Sequence, residues 1–243
     1  MRFVRTFWLL IILCLWQGSA LEAGEKLTLA ASAGYKRLVN ELCTVYTAKT
    51  GVEVQQIFGN MGQVTAQTKE SGAVNFIIGE KQFLDATSLV FGEETPIGKG
   101  KLIAVTAKGA DIKSLDDLTD PKVTRIALPD SKKATFGKAA TEFFTRKGID
   151  TQIQPKLLIV GTVPQVSAYV MRGEVDIGFV NLTEAMAIQD KVGLLIPVDE
   201  TLYSPILIVA KRLEQSQNTE AAGSFISFLQ SGEANAIITQ QGL

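Results

Sequence analysis

Residues 26–63 read KLTLAASAGYKRLVNELCTVYTAKTGVEVQQIFGNMGQ, and this stretch decides the fold class. Lys26-Leu27-Thr28-Leu29-Ala30-Ala31 is a short β-prone run. From Tyr35 to Lys49 the apolar residues Leu38, Val39, Leu42, Cys43, Val45 and Tyr46 fall at helical spacing, and Gly51 stops the helix. Val52 to Phe58 is a second strand, and Gly59-Asn60-Met61-Gly62 is a turn into a helix over Gln63–Glu70. Strands separated by whole helices cannot be hairpins, so these are parallel βαβ units and the class is α/β.

The same alternation runs on through strands at 74–78 and 102–107, and then the chain starts over. Strands at 125–128, 156–160 and 175–180 enclose helices at 132–147 and 163–171, and strands at 194–198 and 205–210 precede a helical segment from Ala221 to Gln240. Two successive sets predict two lobes, each a mostly parallel sheet flanked by helices with a ligand cleft between them. Residues 26–107 with 204–243 form the first lobe, and 108–203 form the second.

Outside the lobes, the N-terminus carries an export signature. Met1-Arg2-Phe3-Val4-Arg5 is basic, FWLLIILCLW over 7–16 is a ten-residue apolar run, and Gly18-Ser19-Ala20 offers a small-residue cleavage site. The run is shorter than the ~20 residues a spanning helix needs. Residues 1–20 are therefore expected to be a cleaved signal peptide and the mature chain to be exported. Cleavage removes Arg2 and Arg5 but no acid, which leaves 22 basic and 25 acidic residues and a formal net charge of −3. Cys43 is then the sole thiol, so no internal disulfide forms; its helical setting reads as a buried small hydrophobe.

Composition excludes more than it selects. The 243 residues contain no histidine, so Ser-His-Asp and Cys-His pairs, HExxH zinc helices and His-ligated haem are all ruled out. A near-neutral balance of 24 basic and 25 acidic residues offers no stripe for nucleic acid. There is no P-loop, GxGxxG or CxxC motif, and no catalytic residue, metal ligand or cofactor is assigned. The doublets Glu93-Glu94, Asp116-Asp117, Lys132-Lys133 and Asp199-Glu200 read as solvated faces, Asp176 as a turn or cap residue, and Phe143-Phe144 with Phe225 and Phe228 as core. An enzyme here would need a lysine or carboxylate base for its nucleophile.

What remains is a set of strand-to-helix turns at Ser32-Ala33-Gly34-Tyr35, Gly59-Asn60-Met61-Gly62-Gln63, residues 130–137 and Gly161-Thr162-Val163-Pro164. Free N–H groups and the helix dipole make such turns anion sites, and ligands of open α/β sheets sit at the carboxyl ends of strands, where these turns lie.

Several segments in order carry a family likeness: LTLAASA at 27–33, KTGVEV at 49–54, Phe58-Gly59, VNFIIG at 74–79, RIALPD at 125–130, GEVDIGFV at 173–180 and ANAIITQQGL at 234–243. With these the chain resembles the periplasmic molybdate-binding proteins of ABC importers, within the type II periplasmic solute-binding fold. The resemblance implies a two-lobed clamp that closes on a tetrahedral oxyanion and delivers it, as a monomer, to an inner-membrane ABC permease. It implies a pocket of hydroxyls and backbone N–H groups at Gly34, Met61, Phe136, Val163 and Asn181, with Ser32 and Asn60 beside them. Molybdate binders of this family carry serines on the first two turns and a tyrosine at the last site, where this chain has Gly34, Met61 and Asn181. Three lost donors at about 1.5–3 kcal/mol each would cost roughly 4–9 kcal/mol, which keeps other small anions, or an organic ligand read by a membrane sensor, open as alternatives.

Overall fold

The computed structural model describes residues 26–216 and 219–243. The expected signal peptide at 1–20 lies outside the described residues. In chain order the elements are β1 (Lys26–Ser32), α1 (Lys36–Thr50), β2 (Glu53–Gly59), α2 (Met61–Ser71), β3 (Phe76–Glu80), α3 (Lys81–Asp85), β4 (Phe91–Gly100) and β5 (Leu102–Thr106). Then follow β6 (Ile126–Pro129), α4 (Thr135–Lys147), α5 (Asp150–Ile153), β7 (Leu157–Val160), α6 (Val163–Met171), β8 (Ile177–Asn181) and α7 (Leu182–Ile188). The chain ends with β9 (Leu195–Pro197), β10 (Ile206–Leu213), α8 (Thr219–Leu229) and α9 (Gly232–Gln240).

Two five-stranded sheets result, in the orders β2-β1-β3-β10-β4 and β7-β6-β8-β5-β9. Parallel βαβ strands make up three positions of each sheet, and β10 and β5 run antiparallel to their neighbours. The central strands β3, β5, β6 and β8 are buried at every position, as expected for strands covered by helices on both faces. One aromatic cluster, Tyr46, Phe76, Phe225 and Phe228, anchors the first lobe with ring centroids 5.0–6.3 Å apart. Phe143, Phe144 and Phe179 do the same in the second at 5.0–5.8 Å. Each buried ring removes enough apolar surface to contribute about 1.5–3 kcal/mol. Cys43 is buried, and burial pushes its thiol up to about 12, which leaves it unreactive.

Two expectations need correction, and one strand is added. The strand at 102–107 does not belong with the first sheet: β5 hydrogen-bonds to β8 and β9, so the chain changes lobes at Lys101. The ten-residue strand β4 fills the edge of the first sheet, where its three glycines and a proline hid it. The C-terminal helix is two helices, because the Ser231 hydroxyl accepts from Ala234 N–H and starts α9 afresh.

Candidate ligand-binding cleft

The cleft is built from the C-terminal ends of strands in both lobes. Its walls are Ser32, Ala33 and Gly34 at the end of β1, Gly59 and Asn60 at the end of β2, Ala134, Thr135 and Phe136 at the start of α4, and Thr162 and Val163 at the start of α6. No charged side chain is among them. Even with solvent-open space counted, the empty volume is about 220 Å³, below the ~300–1,000 Å³ of pockets that enclose drug-sized ligands.

Each helix start is shaped by its own sequence. At α2, Asn60 and Gln63 form a capping box: Asn60 Oδ1 accepts from Gln63 N–H at 2.9 Å, and Gln63 Oε1 accepts from Asn60 N–H at 3.0 Å. Gly62 N–H donates to Lys133 O at 3.2 Å, so of the first-turn donors of α2 only that of Met61 remains for a ligand. At α6, Thr162 caps Gln165, and Pro164 has no N–H, which leaves Val163. At α4 no side chain caps Ala134, so Thr135 and Phe136 present their N–H groups uncapped. Gly137 lets α4 begin this close to β6, since a Cβ there would stand 2.1 Å from Pro129 O. Three helices of eight or more residues thus turn their positive ends toward one neutral cavity.

The lobes meet across the cleft. Asn60 Nδ2 donates to Gly161 O at 3.1 Å, Asn181 Nδ2 donates to Gly34 O at 3.0 Å, and Tyr35 packs edge-on to Phe136 with centroids 6.1 Å apart. Asn181 Oδ1, Tyr35 Oη and Thr135 Oγ1 are buried without a hydrogen-bond partner among the described residues. Burial holds the Tyr35 hydroxyl well above its usual range, and the nearby Glu80 charge adds to this, so Tyr35 stays protonated and able to donate. Thr135 also walls a second small cavity with Glu80, Lys138, Glu142 and Ile206.

Of the residues expected at the site, Ser32, Gly34, Asn60, Phe136 and Val163 line the cavity, while Asn181 is not in the wall but bonds the backbone of Gly34, which is. Met61 is different. Its side chain is 1% exposed and packs away from the cleft with Ala30, Val64, Ile77 and Leu84. It fills the slot over Gly79, where a Cβ would meet Met61 Cε at 2.5 Å. The bulk expected from Met61 in the pocket is therefore in the core, and Met61 is not among the residues that wall the cavity. Ala33, Gly59, Ala134, Thr135 and Thr162 complete the wall, and all five lie within the four turns read from the sequence.

Two α/β lobes, crossed by the chain at Lys101 and between β9 and β10 and facing each other through helix N-termini, define a two-lobed binding protein of the periplasmic type. The sequence profile of the bacterial extracellular solute-binding proteins matches residues 27–243, and the chain belongs to that family. A molybdate-binding protein of Rhodobacter capsulatus is 26% identical over 95% of this chain and 93% of its own. A Pseudomonas protein named aconitate isomerase is 26% identical, over 89% of this chain and 87% of its own. Among solved structures, the substrate-binding domain of a putative molybdenum ABC transporter from Clostridium difficile superposes with a TM-score of 0.69 at 25% identity, covering 90% of this chain and 98% of that one. The periplasmic molybdate-binding protein of Azotobacter vinelandii shares the fold, with a TM-score of 0.81 at 22% identity over 89% and 97% of the two chains.

Proposed function

We propose that this chain is an exported, monomeric solute-binding protein that closes its lobes on a small oxyanion and hands it to an ABC permease in the inner membrane. The observation that carries the reading is the convergence of the α2, α4 and α6 N-termini on a small cavity with no countercharge. Such a site holds an anion by fixed dipoles and N–H groups, and ligand contacts from both lobes favour the closed form. The molybdate-binding relatives and the transporter domain with the same fold support the anion class and the permease partner, and the basic-apolar-small segment at 1–20 supports export. Of the cleft-lining hydroxyls, Ser32 and Thr162 have no lysine or carboxylate beside them in the wall to act as a base, whereas Thr135 also borders the cavity that holds Glu80, Lys138 and Glu142.

Thermal unfolding with molybdate, tungstate, sulfate, chromate, phosphate and small carboxylates tests the reading. A true ligand stabilises by RT ln(1+[L]/Kd), about 2.7 kcal/mol at a hundred times Kd. Unchanged melting with every oxyanion would remove the proposal.

A further inference from the structure

Asn181 stands at the N-cap of α7 and is 1% exposed, yet its side chain does not cap that helix. It reaches instead across the cleft, where Nδ2 donates to Gly34 O. A carbonyl can only accept, so this bond fixes which end of the amide is nitrogen and makes the other end an oxygen. That oxygen, Oδ1, is buried without a partner among the described residues. It lies against the cavity wall, 3.0 Å from the point a Cβ on Gly34 would occupy, and Val163 Cβ is 3.5 Å from the same point. Gly34 and Val163 both line the cavity.

An acceptor in this place is wrong for a fully ionised oxyanion. The other groups at hand are the N–H groups of the helix starts and the hydroxyls of Ser32, Thr135 and Thr162, all of which can donate to anion oxygens. Asn181 Oδ1 can only receive, and unlike the Asn60 Oδ1, which accepts from Gln63 N–H, it has no partner among the described residues. Molybdate and sulfate near neutral pH carry oxygens that only accept, so one of them beside Oδ1 sets acceptor against acceptor in a site with little water. We infer that the cleft selects a small oxyanion that brings a hydrogen-bond donor of its own, an O–H received by Asn181 Oδ1, over anions that have none. This rests on the oxyanion reading above and narrows it. Hydrogen phosphate and hydrogen arsenate meet the requirement among tetrahedral anions, and glycolate meets it among small carboxylates. A site built to bond a ligand hydroxyl rejects the analogue without it far more strongly than an apolar pocket rejects an added group, because its own polar atom is left unpaired.

Calorimetric titration of the purified protein at fixed pH and salt with matched pairs tests this: phosphate and arsenate against sulfate and molybdate, and glycolate against acetate. The two pairings separate an inorganic ligand from a hydroxy acid. The donor-bearing member of at least one pairing is expected to bind about tenfold or more tighter than its mate. Asn181→Ala should collapse that ratio toward one, chiefly by weakening the donor-bearing anion, whereas a purely structural role would weaken both members alike. If the variant fails to fold, the wild-type ratios alone decide. Equal or tighter binding of sulfate, molybdate and acetate overturns the inference and leaves the oxyanion reading standing. Binding by none of these anions overturns both.

Discussion

At Gly34 and Asn181 two positions in different lobes are matched to each other. A Cβ on Gly34 would sit 3.0 Å from Asn181 Oδ1, closer than ordinary contact, and Asn181 cannot easily turn aside because its Nδ2 is bonded to Gly34 O. The backbone of Gly34 has no positive φ, so Gly34→Ala costs nothing in local strain. The change should leave the melting temperature nearly unaltered and lower anion affinity about tenfold, since it acts on the approach of the lobes. Asn181→Ala in the same chain makes room for the added methyl, and a double-mutant cycle in titration calorimetry should return a coupling of about 0.5–3 kcal/mol. Strict additivity would mean that the two residues do not meet in the bound form. The sequence reading reached Gly34 through its turn and Asn181 only through the family resemblance. It could not see that one residue fills the space the other vacates, nor that the Met61 side chain turns into the core over Gly79, because a position on a turn does not determine where its side chain points.

Among the elements, those with a complete local code are read best. Helix α6 begins at Val163 and ends at Met171 as its pattern predicts, since Thr162 and Gln165 form a reciprocal cap and Pro164 pre-sets the first turn. Strand β4 fails the same reading because its glycines serve tertiary contacts: a Cβ on Gly98 would strike Leu243, and one on Gly100 would strike Tyr35 Oη and Ile206. The end of β3 yields a pH prediction. Both oxygens of Glu80 cap α3, accepting from Gln82 N–H at 2.9 Å and Phe83 N–H at 2.7 Å, and the residue is 8% exposed. Burial is the larger effect and raises its pKa above 4.5, against the pull of those two N–H groups and of Lys138. A folded-state pKa above the unfolded one means that the native protein holds the proton more tightly. The contribution of Glu80 is thus most favourable at low pH and is lost as pH rises through the raised value. Glu80→Gln never ionises and keeps one acceptor, so its melting temperature relative to wild type should climb as pH goes from 4.5 toward about 7. A gap that stays flat over that range in parallel scans would show that charge burial at Glu80 carries no cost.

Across the whole molecule, the two-lobed plan is legible because the strand-helix alternation restarts, but the seam between lobes is not, since it is made of contacts far apart in sequence. Leu102 N–H donates to Tyr203 Oη at 3.2 Å and ties the two crossing segments together, while Asn60 Nδ2 on Gly161 O and Gly62 N–H on Lys133 O hold the closed cleft. Asn60 serves two ends at once, capping α2 with Oδ1 and latching the lobes with Nδ2. Serine caps a helix about as well as asparagine but presents no amide to reach Gly161, so Asn60→Ser separates the two roles. Helix α2 and overall stability should change by less than about 1 kcal/mol, whereas the closed form loses one hydrogen bond worth about 0.5–1.5 kcal/mol. Every ligand then binds to a smaller closed population, and apparent Kd rises by the same factor for all of them, roughly two- to tenfold. Small-angle scattering of the ligand-free variant should give a larger radius of gyration than wild type, and titrations should weaken in parallel with the order of anion preference intact. A change in that order would place the Asn60 amide on the ligand itself and not on the latch.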